Sequence, residues 1–357
     1  MSRDGTAADP RLPGDHRVRV SAVLPVHDPG PGLAGTLQRL WGTLGPLDEL
    51  VVVDDGSTDG TAELLAGAAS DRASLQVVSM DRRQGVGAAR NAGLAVARGE
   101  AVWFVDWDDR WSLDIVDVLH AAWRQSRASV VCCGARLVEP DGSSVELLEG
   151  VERRTDVTGG QIGLAVLDGR IRGYLWNKLF SREVLGPAPF PDLPNRSDFA
   201  GVATVLAAQA SVLLLPQVLY QQVRRPGSLS RRHPPTTATL AASWAVAQRV
   251  AAIAGTHPAG PADPRQVTAA LRRFRYREWH LALAAASVRG GTGSAPRSQL
   301  LQALEDMRWR DVAALLVGDP MLGARAGLLL GARTRYPDVH HTAVRARARL
   351  RASGGGG

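Results

Sequence analysis

The stretch Ala101-Val102-Trp103-Phe104-Val105-Asp106-Trp107-Asp108-Asp109 decides the fold. Its first residues are mostly apolar and read as a buried strand, with carboxylates crowded at or just past the C-terminal end. In an open α/β sheet that edge is where ligands bind. Asp106, Asp108 and Asp109 repel one another unless a cation lies between them. Mg²⁺ or Mn²⁺ favours a few carboxylates plus phosphate oxygens, so a divalent cation carrying a diphosphate is the natural occupant. The plainer reading is a solvated acidic turn.

Outward from this strand the same grammar repeats. Val18, Val20, Ala22, Leu24 and Val26 alternate as a first strand, and Leu33, Leu37, Leu40, Trp41 and Leu44 mark a crossover helix. Leu50 to Val53 is a second strand ending in Asp54-Asp55-Gly56-Ser57-Thr58-Asp59-Gly60. There Gly56 permits a sharp turn, and Ser57 or Thr58 can cap the next helix. Further strands are expected at Leu75–Val78 and Ser129–Cys133, with a helix showing Ile115, Leu119, Ala122 and Trp123 before the latter. Strand and helix patterns alternate five times, which predicts an α/β fold with a parallel sheet covered on both faces.

Four blocks fall in order along this frame: Val23-Leu24-Pro25-Val26-His27-Asp28, Val52-Val53-Asp54-Asp55-Gly56-Ser57-Thr58-Asp59, Ala88-Ala89-Arg90-Asn91-Ala92-Gly93-Leu94 and Phe104-Val105-Asp106-Trp107-Asp108-Asp109. Two later blocks are Trp176-Asn177-Lys178-Leu179-Phe180 and Arg225-Pro226-Gly227-Ser228-Leu229-Ser230-Arg231. Together they resemble the family-2 glycosyltransferases of GT-A fold, a Rossmann-like, mostly parallel sheet with helices on both faces. The resemblance spans residues 17–232.

The resemblance implies a nucleotide-sugar donor, commonly UDP-linked, and a role for each matching residue. Asp55 would accept a hydrogen bond from the base, with Pro25 and Val26 forming the pocket wall; His27-Asp28 stands where family members often have Tyr-Asn, and His27 could still stack on the base. Asp54 and Trp107 would lie in the same donor site. Asp106 would contact the ribose or the metal, Asp108 would hold Mn²⁺ or Mg²⁺ on the diphosphate, and Asp109 is a further candidate ligand. Arg90 would lie near the phosphates or sugar.

Inverting transfer also needs a carboxylate to take the acceptor hydroxyl's proton. The family places it in a Glu-Asp pair at the start of a helix. Here Asp198 matches the Asp, while Ser197 replaces the Glu. The plainer reading makes Asp198 a helix N-terminal residue favoured by the macrodipole. The expected activity is metal-dependent, inverting transfer to a hydroxyl of a glycan, lipid-linked or cell-envelope polymer acceptor. The Ser197 departure favours an alternative, a non-catalytic nucleotide-sugar or glycan-binding protein.

Rival signals are weaker. Gly85-Val86-Gly87-Ala88-Ala89-Arg90 begins like a dinucleotide fingerprint, but Arg90 stands where a small residue must pack. No Walker A sequence appears. Cys132 and Cys133 are adjacent on an expected buried strand and cannot make a zinc site by themselves. The histidines, among them His233 and the pair His340-His341, show no metal-ligand spacing.

The 357 residues suffice for a large domain and a smaller one. Residues 1–16 read as a disordered lead-in, 17–232 as the GT-A domain, 233–352 as a basic helical C-terminal module and 353–357 as a flexible tail. No stretch is long and apolar enough for a transmembrane helix. The expected location is cytoplasmic, with peripheral contact at the inner face of the membrane. The net charge of +7 hides a division: residues 222–357 carry 21 Arg against 7 Asp+Glu. Arg272, Arg273, Arg275 and Arg277 form one basic cluster, and Arg345, Arg347, Arg349 and Arg351 another. Such a module could meet an anionic membrane, an anionic polymer acceptor or nucleic acid, or could simply be a solvated face. No recognised nucleic-acid motif supports the third, and nucleic acid is not an expected partner.

Overall fold

The computed structural model describes residues 18–126, 128–193, 196–225, 236–289 and 294–338. The expected lead-in, the tail, His233, His340, His341 and the arginines from 345 to 351 lie outside them. The first half alternates strand and helix as read: β1 (Val20–Val26), α1 (Gly32–Thr43), β2 (Glu49–Asp54), α2 (Thr61–Asp71), β3 (Leu75–Ser79), α3 (Val86–Val96) and β4 (Ala101–Phe104). After the short β5 (Arg110–Trp111) come α4 (Ile115–Gln125), β6 (Val130–Val138), β7 (Ser144–Glu149), β8 (Thr155–Thr158), α5 (Gly160–Asp168) and β9 (Lys178–Ser181). Then follow α6 (Ser197–Ala207) and β10 (Ser211–Val223).

The sheet runs β3-β2-β1-β4-β9-β6-β10-β5, with β7 on β6 and β8 on β10. Strands β1 to β4 pair in parallel, as do β6 and β10. The run of parallel strands is broken by β9, which lies antiparallel between β4 and β6. The Trp176-Asn177-Lys178 block thus becomes central structure. The Trp103 indole donates to the Trp176 carbonyl at 2.7 Å, and the Asn177 amide donates to the Cys133 carbonyl at 2.7 Å. Lys178 is fully buried, and its ammonium is held by Glu149 at 3.1 Å and Asn177 Oδ1 at 2.8 Å. A lysine can sit there because both charge and hydrogen bonds are satisfied. Cys132 and Cys133 are core residues, and burial pushes the Cys133 thiol up to about 12.

Two glycines set how closely the parts approach. Gly56 has φ +67°, and a Cβ there would lie 2.6 Å from the backbone of Arg82 and Arg83. Gly93 brings α3 onto the sheet, where a Cβ would meet Val23 at 2.6 Å. Both contacts keep the β2 turn and α3 tight against the sheet's C-terminal edge.

The C-terminal helices are α7 (Thr237–Thr256), α8 (Pro264–Arg275), a π-helical turn (Tyr276–His280), α9 (Leu281–Arg289), α10 (Ser294–Leu304), α11 (Trp309–Gly318) and α12 (Pro320–Ala332). They do not form one separate module. Ala247, Val250, Ala251 and Ala254 of α7 and Ala270 and Phe274 of α8 share a core with β1, β2, α5 and α6. A distinct core built from Leu240, Tyr276, Leu283, Leu300, Leu315 and Leu329 joins the later helices. A boundary at 232/233 therefore cuts through a shared core, and the second core takes over at the π-helical turn.

Candidate functional site

The C-terminal ends of β1, β2 and β4 lie side by side, with Val23 in register with Phe104 and Val26 with Asp54. Pro25 and Val26 thus border Asp54 and Asp55 as the sequence requires. Much of this edge first serves its own loops. Asp55 is buried, and its two oxygens accept the backbone N–H groups of Gln84 (2.6 Å) and Gly85 (2.8 Å) at the start of α3. Asp54 Oδ1 accepts from the Ser57 amide at 2.9 Å. His27 Nδ1 donates to the Asp55 carbonyl at 2.9 Å, which pins the ring. Asp28, in the left-handed region at φ 45°, accepts from the Thr58 amide at 2.7 Å. A carboxylate has lone pairs beyond the two bonds Asp55 makes, so it can still meet a base.

The β4 carboxylates separate into distinct roles. Asp106 Oδ1 accepts from the buried Arg90 guanidinium at 3.0 Å, and Arg90 also lies over the Phe190 ring at 5.8 Å. Arg90 Nε is buried with no hydrogen-bond partner among the described residues. Asp108 faces Arg225, with Oδ2 3.8 Å from the guanidinium, and Arg225 also donates to the Asp108 carbonyl. Arg225 lies 5.1 Å over the Trp107 ring, and Trp107 is held by Thr36 at its carbonyl (2.7 Å) and by close contact with Gly32.

Asp109 turns away from this group. It accepts from the Tyr220 hydroxyl at 3.0 Å and the Val223 amide at 2.8 Å, tying the β4–β5 turn to β10. Burial, then the Asp106 and Asp108 charges, raise its pKa well above the ordinary carboxylate range. Both of its oxygens are engaged in that tie. Asp108 is also raised, first by burial and then by Asp106, with Arg225 opposing.

Asp106 and Asp108 remain partly exposed and electrostatically coupled. Mg²⁺ characteristically takes one or two carboxylates and completes its shell with phosphate oxygens and water, and this pair fits that demand. Among the described residues no group of three His, Cys, Asp or Glu is arranged to hold a metal. A cation here would need phosphate oxygens and water to complete its shell.

Asp198 stands in the first turn of α6 and accepts from the Phe199 amide at 2.8 Å. Burial raises its pKa, Arg90 and Arg196 oppose that shift, and the Asp106 charge adds to it. Asp198, Arg90 and Asp106 thus share one electrostatic environment although they come from α6, α3 and the end of β4. The segment leading to α6 is fixed by Asn91, whose amide donates to the Phe190 carbonyl at 2.7 Å and whose Oδ1 accepts the Phe190 amide at 3.1 Å. Asn91 and Arg225 lie inside the third and the last sequence blocks, which is the signal they offer, and Tyr220 lies outside every block.

Comparison with known proteins bears on the fold and the family. Residues 21–185 match the model of Glycosyl transferase family 2. EpsH of Bacillus subtilis is 28% identical over 137 residues, 38% of this chain and 39% of its own length. TuaG of the same species, named for teichuronic acid biosynthesis, is 26% identical over 181 residues, 51% of this chain and 69% of its own. The chain thus spans about two-fifths of the first relative's length and about two-thirds of the second's. The crystal structure of S. aureus TarS 1-349 in complex with UDP-GlcNAc superposes with TM-score 0.66 at 20% identity, covering 93% of this chain and 92% of that one. The likeness to TarS is one of fold, a mixed α/β GT-A sheet followed by helices. Over residues 21–185, a little under half of its length, the chain is similar to Glycosyl transferase family 2.

Proposed function

We propose that this protein transfers a sugar from a UDP-linked donor to a hydroxyl of a cell-envelope glycan, lipid-linked or polymer acceptor, with inversion and with Mn²⁺ or Mg²⁺. The observation carrying this reading is the Arg90–Asp106 pair just past the end of β4, with Asp198 near enough to feel both charges. Support for the donor comes from the UDP-GlcNAc seen with TarS, and support for the acceptor class from the name of TuaG.

Asp106 and Asp108 would hold the cation, which as a Lewis acid offsets charge growing on the leaving diphosphate. Pro25, Val26, His27, Asp54, Asp55 and Trp107 would receive the nucleoside. Asp198 takes the acceptor proton as the new glycosidic bond forms. Its raised pKa makes it a stronger base than an ordinary aspartate, and the Phe199 amide fixes one oxygen while leaving the other to act. Arg90 keeps Asp106 in place and limits the repulsion between Asp106 and Asp198.

The test is a panel of nucleotide sugars assayed for metal-dependent transfer and slow hydrolysis, with Asp198→Asn beside wild type. The variant should bind donor normally and lose about 10²–10⁴-fold in turnover. Wild-type turnover should rise with pH through a pKa above the normal aspartate value, because only the ionised base accepts a proton. That limb should vanish in Asp198→Asn. Donor binding without turnover in wild type, with every nucleotide sugar and acceptor extract, would instead favour the binding-protein reading suggested by Ser197.

A further inference from the structure

The α11–α12 hairpin presents an apolar tip to solvent. Val317 is 89% exposed and Met321 75%, on either side of the Gly318–Pro320 turn, with Leu316 beside them. Trp309 is 61% exposed, and its ring runs along α12 close to Gly327 and Gly331. The spacing 309, 313, 316/317 on α11 and 321, 324, 328 on α12 makes an outward apolar stripe on each helix.

The charges on the same hairpin are one-sided. Its two carboxylates are occupied: Asp311 pairs with Arg272 at 3.0 Å, and Asp319 turns back to cap the Leu322 amide at 3.0 Å. Arg310 and Arg325 are exposed and make no ion pair among the described residues. An exposed Trp, an apolar tip and unpaired arginines are the composition of an element lying in the headgroup region of an anionic bilayer. Residues 339–357 contribute four Arg and no Asp or Glu, so charge disfavours them as a cover for this face.

We infer that the α11–α12 hairpin docks the protein on an anionic lipid surface, with Val317 and Met321 inserted and Arg310 and Arg325 facing lipid phosphates. Vesicle binding is read without turnover, so this inference and the proposed catalysis stand or fall separately.

The full chain should co-sediment with phosphatidylglycerol-containing vesicles and not with pure phosphatidylcholine, and high salt should weaken the binding. The double variant Val317→Asp/Met321→Asp should bind about tenfold less or worse, because two apolar side chains no longer leave water. Arg310→Glu/Arg325→Glu should lose the anionic preference, while Leu147→Asp, at an exposed apolar position on β7, should change nothing. The tip positions are solvent-exposed, so an unchanged melting transition verifies the fold. Equal binding to both lipids, undiminished binding by the tip variant, or no binding by the full chain overturns the inference. Dimerisation in light scattering that the tip variant abolishes, without vesicle binding, also overturns it in favour of a second copy as occupant.

Discussion

Two groups of facing acids and arginines sit in this molecule, and they are used in opposite ways. At the sheet edge, Asp106 and Asp108 meet Arg90 and Arg225 at 3.0 and 3.8 Å and stay partly open to solvent. At the seam with the C-terminal helices, Arg272, Arg273 and Arg275 are taken up by Asp311, Asp168 and Asp306, and Arg277 by Glu278 and the carbonyls of Leu167 and Asp168. The first group retains charge for a ligand. The second spends it on joining helices, so the basic cluster at 272–277 is a fastening, and no docking face is built from it. A net charge counted along the chain cannot separate these uses.

The sharpest way to break the comparison is to exchange neighbours within it. Asp108→Asn should abolish divalent-dependent donor binding, read by calorimetry, and leave the melting temperature unchanged or higher because like charges no longer crowd. Asp109→Ala should do the reverse. It strands the Tyr220 hydroxyl and the Val223 amide, costing about 1–3 kcal/mol in denaturant unfolding, with metal dependence retained. If Asp109→Ala removes metal dependence and Asp108→Asn does not, the division of roles is wrong.

Asp168→Ala tests the seam. It removes a two-bond contact with Arg273, at 2.7 and 3.0 Å, in a half-buried place. The expected loss is about 1 kcal/mol, with donor affinity unaffected. A change in donor affinity would show that the seam reaches the site.

The smallest effect at neutral pH concerns His280 in the second core. Its Nδ1 donates to the Ala303 carbonyl at 2.7 Å, Nε2 is buried without a partner among the described residues, and burial pushes its pKa down to about 4. The folded pKa lies below the unfolded one, so the unfolded chain takes the proton first. Stability is complete above about pH 6.5 and declines as pH falls toward 4. Thermal unfolding followed between pH 7 and 4.5 should show this decline, and His280→Gln should flatten it.

The parallel half of the sheet was legible because alternating apolar residues, glycine turns and strand-end carboxylates are local signals. Strand β9 was not. Lys178–Ser181 is short and begins with a lysine whose partner, Glu149, lies 29 residues away. The role of Asp109 was hidden for the same reason, since Tyr220 is 111 residues distant. The pairing of Arg273 is equally invisible locally, because Asp168 stands 105 residues before it. Residue types proclaim chemistry in the sequence, while the partners that consume it are a property of topology.

The shared core of α5, α6, α7 and α8 bears on how the protein is made. Gly160 and Gly163 of α5 lie so close to Ala254 of α7 that a Cβ at Gly163 would come within 2.7 Å of its side chain. The ribosome delivers α5 long before α7, and until residues 247–274 emerge that side of the nascent chain faces water uncovered. Folding of the sheet-bearing half therefore cannot finish as its own residues leave the tunnel, and waits on helices synthesised after the last strand. A shortened protein ending at 232 would be held permanently at that unfinished stage, whereas one ending after Arg275 would keep the helices that complete this core.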